Sequence, residues 1–147
     1  MIRVRNATDA DFDLTFEIKK TSIKPYIEKI WGREDAVQLE FHVKDFSPKK
    51  TKILVDENND AFGFFVTTED DRQIYLDNLL LGNNAQGQGI GTEMLHELIM
   101  QAKSRSKQIK LQVFKVNTRA RALYKRLGFN TTRQTESHYQ MSIENWT

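Results

Sequence analysis

The feature that most constrains this chain is the stretch LDNLLLGNNAQGQGIGTEML, residues 76–95, in which an apolar run leads through a glycine-rich loop into a helical pattern. Gly87, Gly89 and Gly91 alternate where the helix starts. A strand, a glycine-rich turn and a helix N-terminus gather unpaired backbone N–H groups at the positive end of a helix dipole. Glycine also allows a ligand to approach the backbone closely. This succession of strand, glycine-rich turn and helix predicts a phosphate or pyrophosphate site.

The spacing within this loop excludes the common nucleotide-binding motifs. From Gly87, the third glycine of a G-x-G-x-x-G fingerprint would be residue 92, which is Thr92. No G-x-x-x-x-G-K-[ST] sequence occurs, which argues against a P-loop. Gln86 and Gln88 flank the first glycine, and we expect their side-chain amides to add donors to the anion site.

The sequence predicts no metal site. DADFD, which starts at Asp9, opens like a calcium loop, but Leu14 and Lys20 replace its required glycine and glutamate. The histidines are scattered, at positions 42, 96 and 138. The chain contains no cysteine, which excludes disulfides and thiolate nucleophiles.

Composition indicates one soluble, globular domain over residues 1–147. Apolar residues make up 39% and charged residues 29%, a balance typical of chains that bury a core. No apolar run approaches the roughly 18 residues of a membrane span, and the N-terminus lacks the apolar core of a signal peptide. We therefore expect a cytoplasmic protein without a membrane partner.

The charges are divided between the two halves of the chain. Residues 1–97 carry 18 acidic and 12 basic side chains, whereas residues 98–147 carry 2 acidic and 10 basic ones. The basic block favours an anionic partner, and a solvated surface is the alternative interpretation. Residues 98–135 hold only three aromatic side chains, at 114, 124 and 129, a pattern that disfavours nucleic acid as the partner.

Hydrophobic periodicity predicts a mixed α/β order. The expected strands are MIRVRNA, TKILV, AFGFFVTT, QIYLDNLLL, IKLQVFKV, FNTTRQT and SHYQMSI. We expect a first helix with Phe12 and Phe16 on its buried face, a separate helix in TSIKPYIEKIW, and a third in EDAVQLEFHVKDF. Later helices follow from about Gly89 to Lys103, and from an N-cap at Asn117 to a left-handed C-cap at Gly128.

Two segments together resemble a known superfamily. QGQGIG, residues 86–91, looks like the Q/R-x-x-G-x-G/A motif of the GNAT N-acetyltransferases, and VNTRARALYKRLGF, residues 116–129, is similar to their second signature. The resemblance implies an acetyl-CoA-dependent N-acetyltransferase that moves an acetyl group directly to a primary amine of a small molecule or peptide. It also implies a mostly antiparallel sheet of six to seven strands, flanked by about four helices, with a splayed strand pair that binds CoA.

The resemblance further implies which residues hold the cofactor. The backbone of the loop would bind the pyrophosphate through Gln86, Gly87, Gln88, Gly89, Ile90, Gly91 and Thr92. The backbone of the preceding strand would pair with the pantetheine arm at Leu79, Leu80 and Leu81. Asn117 would contact the cofactor as well as cap its helix.

Catalytic roles also follow from the resemblance. Tyr124 would protonate the departing thiolate, although its place in an apolar stripe also fits a purely structural role. Some relatives use a glutamate as the general base at the position where this chain has Gln112, and a glutamine side chain cannot accept the proton. Asp77, directly or through water, is therefore the predicted general base. His138 or Tyr139 could substitute for it. The missing carboxylate at Gln112 also supports the alternative, a non-catalytic CoA-binding sensor or regulatory module.

The acceptor amine is the least constrained part of the prediction. The resemblance places it near the first helices and last strands, where the aromatic and apolar candidates are Tyr26, Ile30, Trp31, Phe41 and Tyr139. The acidic first part of the chain favours a cationic acceptor such as a polyamine, an aminoglycoside or a lysine-bearing peptide. The sequence leaves open which acyl group is used and whether the chain acts alone or as a homodimer.

Overall fold

The described part of the chain forms a seven-stranded sheet with four α-helices. The computed structural model describes the backbone of residues 2–31 and 35–146, and the side chains of residues 2–21 and 39–146. The elements are β1 (Arg3–Asn6), α1 (Phe12–Trp31), α2 (Asp35–Asp45), β2 (Thr51–Val55), β3 (Ala61–Glu69), β4 (Gln73–Leu81), α3 (Ile90–Ser104), β5 (Gln108–Phe114), α4 (Thr118–Arg126), β6 (Asn130–Gln134) and β7 (His138–Ile143). This is the mixed α/β fold that the resemblance implies, with the six to seven strands and about four helices expected from it.

The strand order in the sheet is β1-β2-β3-β4-β5-β7-β6. Strands β4 and β5 pair in parallel, and α3 connects them, as a parallel pair requires. The pairs β1–β2, β2–β3, β5–β7 and β6–β7 are antiparallel. The mostly antiparallel sheet predicted from the resemblance is therefore confirmed.

The first helical region differs from the prediction. We expected one helix near Phe12 and a second beginning near Thr21, but α1 is continuous from Phe12 to Trp31. The Thr21 hydroxyl does not cap a new helix. It donates back to the carbonyl oxygens of Glu17 at 3.3 Å and Ile18 at 3.1 Å, a bond that threonine can make inside a helix.

The backbone divides into two compact units. One comprises Met1–Val66 and Asn78–Gly91, and the other comprises Thr67–Asp77 and Thr92–Thr147. In the first unit, Ile18, Ile53 and Phe64 belong to the buried apolar core. This unit also holds a buried His42, whose ring lies 4.6 Å from that of Phe12 and 5.6 Å from that of Phe16, between centroids.

The core of the second unit follows from strand alternation. Leu76 of β4 is paired with Leu111 of β5, and Leu111 is paired with Met141 of β7; all three are buried. Because neighbouring residues of a strand point to opposite faces, Asp77 and Gln112 lie on the other face of the sheet. We call this face, which carries Asp77 and Gln112, the polar face of the second unit.

Candidate functional site

The glycine loop has the backbone geometry that an anion site requires. Gly87 and Gly89 have φ of 76° and 80°, the left-handed region that favours glycine. Helix α3 begins at Ile90, directly after the loop. Among the described residues, no acceptor receives a hydrogen bond from the backbone N–H groups of residues 86–89. These groups are therefore available to an anion at the positive end of the helix.

The side chains of the loop act differently from the expectation. The Gln86 amide nitrogen donates to the Leu81 carbonyl oxygen at 3.0 Å, and the Gln88 amide nitrogen donates to the Asn84 carbonyl oxygen at 2.6 Å. Both side-chain amides that we expected to donate to the ligand thus donate to nearby backbone carbonyl oxygens instead. They fix the loop's shape and leave the backbone N–H groups as its donors toward an anion.

The strand before the loop depends on a glycine that sequence reasoning missed. A Cβ atom on Gly63 of β3 would lie 2.7 Å from the carbonyl oxygen of Leu80 and 2.9 Å from a methyl carbon of Leu81. Only a residue without a side chain permits this approach of β3 to the predicted pantetheine-pairing segment. The signal was present in the sequence, because a glycine inside an apolar strand marks a close backbone approach.

Asn117 occupies the N-cap of α4, as predicted. Its side-chain oxygen accepts a hydrogen bond from the backbone N–H of Ala120 at 3.2 Å, which satisfies one of the unpaired donors of the helix. Its backbone carbonyl oxygen also accepts from the N–H of Arg121 at 3.2 Å. The structure thus accounts for Asn117 in the second motif by helix capping.

Tyr124 is held by the hydrogen bonds that terminate α4. The N–H of Phe129 donates to the Tyr124 carbonyl oxygen at 3.0 Å, and the N–H of Gly128 donates to that of Lys125 at 3.1 Å. Gly128 has the predicted left-handed conformation, with φ of 108°. This pair of bonds is a Schellman motif, and its usual apolar contact is present, with the Tyr124 and Phe129 rings 5.9 Å apart edge to face.

The Tyr124 phenol carries its proton at neutral pH, as any phenol with a pKa near 10 does. Burial raises the pKa of Tyr124 further above its ordinary value of 10.0. The helix-ending motif supplies the fixed position of the ring. A protonated hydroxyl at a fixed position is what a general acid needs, and the fixed position follows from the leucine-tyrosine and glycine-phenylalanine pairs of the sequence.

Asp77 lies on the polar face of the second unit. Registered pairing of β4 with β5 runs from Gln73 and Gln108 to Leu76 and Leu111, so Asp77 is the first residue of β4 beyond it. The Asp77 side chain is exposed, and its Oδ2 accepts a hydrogen bond from the hydroxyl of Thr68 at 2.8 Å. Its negative charge contributes, after burial, to raising the pKa of Tyr75.

The two alternative bases lie on opposite faces of β7. His138 is paired with Phe114, and their rings lie 4.3 Å apart between centroids. Phe114 lies two residues after Gln112 on β5, so its side chain is on the same face as Gln112 and Asp77. His138, which is paired with Phe114, is therefore on that face as well. Burial lowers the pKa of His138, which keeps the imidazole neutral at neutral pH.

Tyr139 is on the face that packs against α4. The guanidinium carbon of Arg121 lies 3.9 Å from the centroid of its ring, and Lys115 Nζ lies 5.3 Å from it. Both cations make cation–π contacts with the Tyr139 ring, and these contacts are structural. Tyr139 and His138 therefore lie on opposite faces of β7, with His138 on the face of Asp77.

Three of the acceptor-site candidates lie outside the described side chains: Tyr26, Ile30 and Trp31. Phe41 of α2 is 44% exposed, and Leu39 and Val43 on the same helix are 40% and 63% exposed. The described part of α2 therefore presents apolar side chains at the surface.

The chain belongs to the acetyltransferase (GNAT) family, whose model matches residues 16–129. Both sequence segments that carried the resemblance lie within that range. No curated protein matches the chain significantly.

Solved structures with the same fold are diverged in sequence. The PaiA N-acetyltransferase of Thermoplasma acidophilum in complex with coenzyme A has a TM-score of 0.79 at 17% identity, with 99% of each chain covered. The ribosomal-protein-S18-alanine N-acetyltransferase of Escherichia coli has a TM-score of 0.70 at 19% identity, with 97% of this chain and 93% of that one covered. An N-acetyltransferase of Staphylococcus aureus Mu50 has a TM-score of 0.71 at 15% identity, with 96% and 100% covered.

The described residues contain no helix long and apolar enough to span a bilayer. Within the same residues, no group of three or more histidine, cysteine, aspartate or glutamate side chains could hold a metal ion.

Proposed function

We propose that residues 1–147 form one acyltransferase domain that moves an acetyl group from acetyl-CoA to a primary amine in a ternary complex. The observation that carries the proposal is the loop at residues 86–89, which precedes a helix and contains two left-handed glycines. Its backbone N–H groups donate no hydrogen bond within the described part of the chain. The family match and the CoA-bound relative of the same fold support CoA as the ligand of this loop. The pyrophosphate is then bound by the backbone from Gln86 to Thr92.

The remaining cofactor contacts are assigned to the strand and to the second motif. The backbone of Leu79, Leu80 and Leu81 pairs with the pantetheine arm, in the manner of an added strand. Asn117 contacts the cofactor while it caps α4. The basic side chains of the second half of the chain neutralise the phosphates.

The chemistry requires one proton donor and one proton acceptor. The amine nitrogen attacks the thioester carbonyl carbon, which forms the C–N bond, and collapse of the tetrahedral intermediate breaks the C–S bond. Tyr124 donates its phenolic proton to the departing thiolate, and Asp77, directly or through a water, accepts the proton that the amine loses. Without cysteine, no thiolate of the chain is present to carry the acetyl group between substrates.

The proposal is tested with the purified protein, acetyl-CoA and a panel of amines. The panel contains spermidine, tobramycin, a peptide with an internal lysine and a peptide with a free N-terminus, and thiol release and product mass are measured. Acetylation of at least one amine is expected. Binding of CoA without turnover of any amine would instead support the non-catalytic CoA-binding module.

A further inference from the structure

Thr68 lies in a hairpin whose turn is held by several bonds. Asp70 Oδ1 accepts from the backbone N–H groups of Arg72 at 2.8 Å and Gln73 at 2.9 Å, and the Asp70 N–H donates to the Gln73 carbonyl oxygen at 3.0 Å. An aspartate that closes a turn in this way fixes the exit of one strand and the entry of the next. The end of β3 and the start of β4 are therefore held at a defined separation.

The end of β3 is also tied to the segment between α3 and β5. Glu69 binds Arg105 Nη1 and Lys107 Nζ, both at 2.7 Å, through its two carboxylate oxygens. Each ion pair is partly exposed and contributes little stability by itself. Together they hold the residue that directly follows Thr68, and so restrict where the Thr68 hydroxyl can lie.

The Thr68 hydroxyl is bonded to only one oxygen of Asp77. It donates to Oδ2 at 2.8 Å, whereas Oδ1 makes no hydrogen bond or ion pair within the described part of the chain. Without such a hydrogen bond, a carboxylate on an exposed strand rotates about its side-chain bonds and spends less time in the orientation that proton transfer requires. One fixed donor to Oδ2 selects a rotamer in which Oδ1 is the oxygen left to take a proton.

We propose that Thr68 is a positioning residue for the acetyl transfer, because its hydroxyl orients the Asp77 carboxylate with Oδ1 toward the acceptor amine. The inference rests on the proposed function and assigns a role to a residue that neither motif contains. The competing interpretation is a cross-strand hydrogen bond that only stabilises the hairpin. The two interpretations differ in what removal of the hydroxyl does to turnover.

The test is kinetic and uses the full chain with acetyl-CoA and the best amine of the panel. Thr68→Val should lower kcat roughly tenfold, which is the size expected for one hydrogen bond to a charged group, and leave KM for acetyl-CoA unchanged. Thr68→Ser keeps the hydroxyl and should restore most of kcat. In an Asp77→Asn background, Thr68→Val should cause no further loss, because the group that it orients is already gone.

The matched control is Thr132→Val in β6. The Thr132 hydroxyl is also on an exposed strand and donates to the Gln140 carbonyl oxygen at 3.4 Å, so its loss should not change kcat. The inference is wrong if Thr68→Val keeps full kcat, or if its loss adds to that of Asp77→Asn. Failure of the wild-type protein to acetylate any amine would overturn the proposed function and this inference with it, whereas an active wild type with an unaffected Thr68→Val overturns the inference alone.

Discussion

Gly63 offers the most direct test of the packing that supports the predicted pantetheine segment. The substitution Gly63→Ala adds a methyl group 2.7 Å from the Leu80 carbonyl oxygen, 2.9 Å from a Leu81 methyl carbon and 3.3 Å from a Leu54 methyl carbon. Real Cβ atoms essentially never lie under 3.0 Å from such neighbours. The leucine methyl groups can rotate aside, but the backbone oxygen cannot move without displacing β4.

The stability loss combines two opposing effects. Overpacking in a filled core costs about 1–3 kcal/mol. Replacing glycine restricts the unfolded chain and returns about 0.4–1 kcal/mol. At the middle of both ranges the net loss in the free energy of unfolding is about 1.3 kcal/mol, which lowers the midpoint of thermal unfolding by about 3–5 °C in a domain of this size.

The assay is thermal unfolding followed by circular dichroism, together with calorimetric titration of CoA. Because the displaced atoms belong to Leu80 and Leu81, the Kd for CoA should also rise, on the order of tenfold. The matched control is Gly82→Ala. Gly82 has φ of −62°, and its Cβ would lie 3.4 Å from the Phe62 carbonyl oxygen, an ordinary contact.

Gly82→Ala should change the free energy of unfolding by no more than about 0.5 kcal/mol. If Gly63→Ala unfolds at the same temperature as this control, the close approach of β3 to β4 does not limit the side chain at position 63. If its midpoint falls but CoA binding is unchanged, Leu80 and Leu81 do not contact the cofactor.

Three further predictions test other residues. Tyr124→Phe should lower kcat by about 10²-fold or more, because it removes only the proton of a general acid, and the Kd for CoA should stay within about twofold in calorimetric titration. Gly128→Ala places a side chain at φ of 108°, which costs about 1–2 kcal/mol and should lower the thermal midpoint by about 2–8 °C. The free energy of unfolding should fall between pH 7 and 5 in urea titrations, because burial lowers the pKa of His42.

The sign of the pH effect follows from proton binding. Burial and the nearby Lys19 lower the folded-state pKa of His42, against the opposing effects of the Phe12 carbonyl oxygen and Asp45. Below the ordinary value of 6.5, the unfolded chain therefore binds a proton that the folded chain does not, and stability is lost as the pH falls. His138 contributes with the same sign, and so do Asp11 and Glu69 as the pH approaches 5, because the pKa of each carboxyl is lowered. The dependence that persists in His138→Gln above about pH 6, where carboxyl groups do not titrate, therefore belongs to His42.

Each of these predictions has a result that contradicts it. Unchanged turnover in Tyr124→Phe would remove the phenol from the mechanism. A Gly128→Ala protein as stable as the wild type would show that the left-handed C-cap is not required to end α4. Stability in His138→Gln that is constant from pH 7 to 5 would mean that His42 accepts a proton in the folded protein as readily as in the unfolded chain.

Local chemistry allowed much of the fold to be predicted from the sequence. The cap at Asn117 and the left-handed Gly128 were predicted because each depends on residues within a few positions. The boundary expected near Thr21 was wrong because a threonine hydroxyl can either start a helix or bond back within one. That choice depends on the surrounding helix rather than on Thr21 itself.

The candidate site likewise has some features that the sequence predicts and others that only the tertiary structure shows. The sequence by itself determined the glycine loop, the two motifs and the position of Tyr124, since backbone conformation and helix ends are set by neighbours in the chain. Only the tertiary structure showed that Gly63 faces Leu80, that Thr68 donates to Asp77 and that Arg121 covers Tyr139. These contacts join different strands and helices, and strand register and helix packing, rather than local propensity, decide which side chains meet.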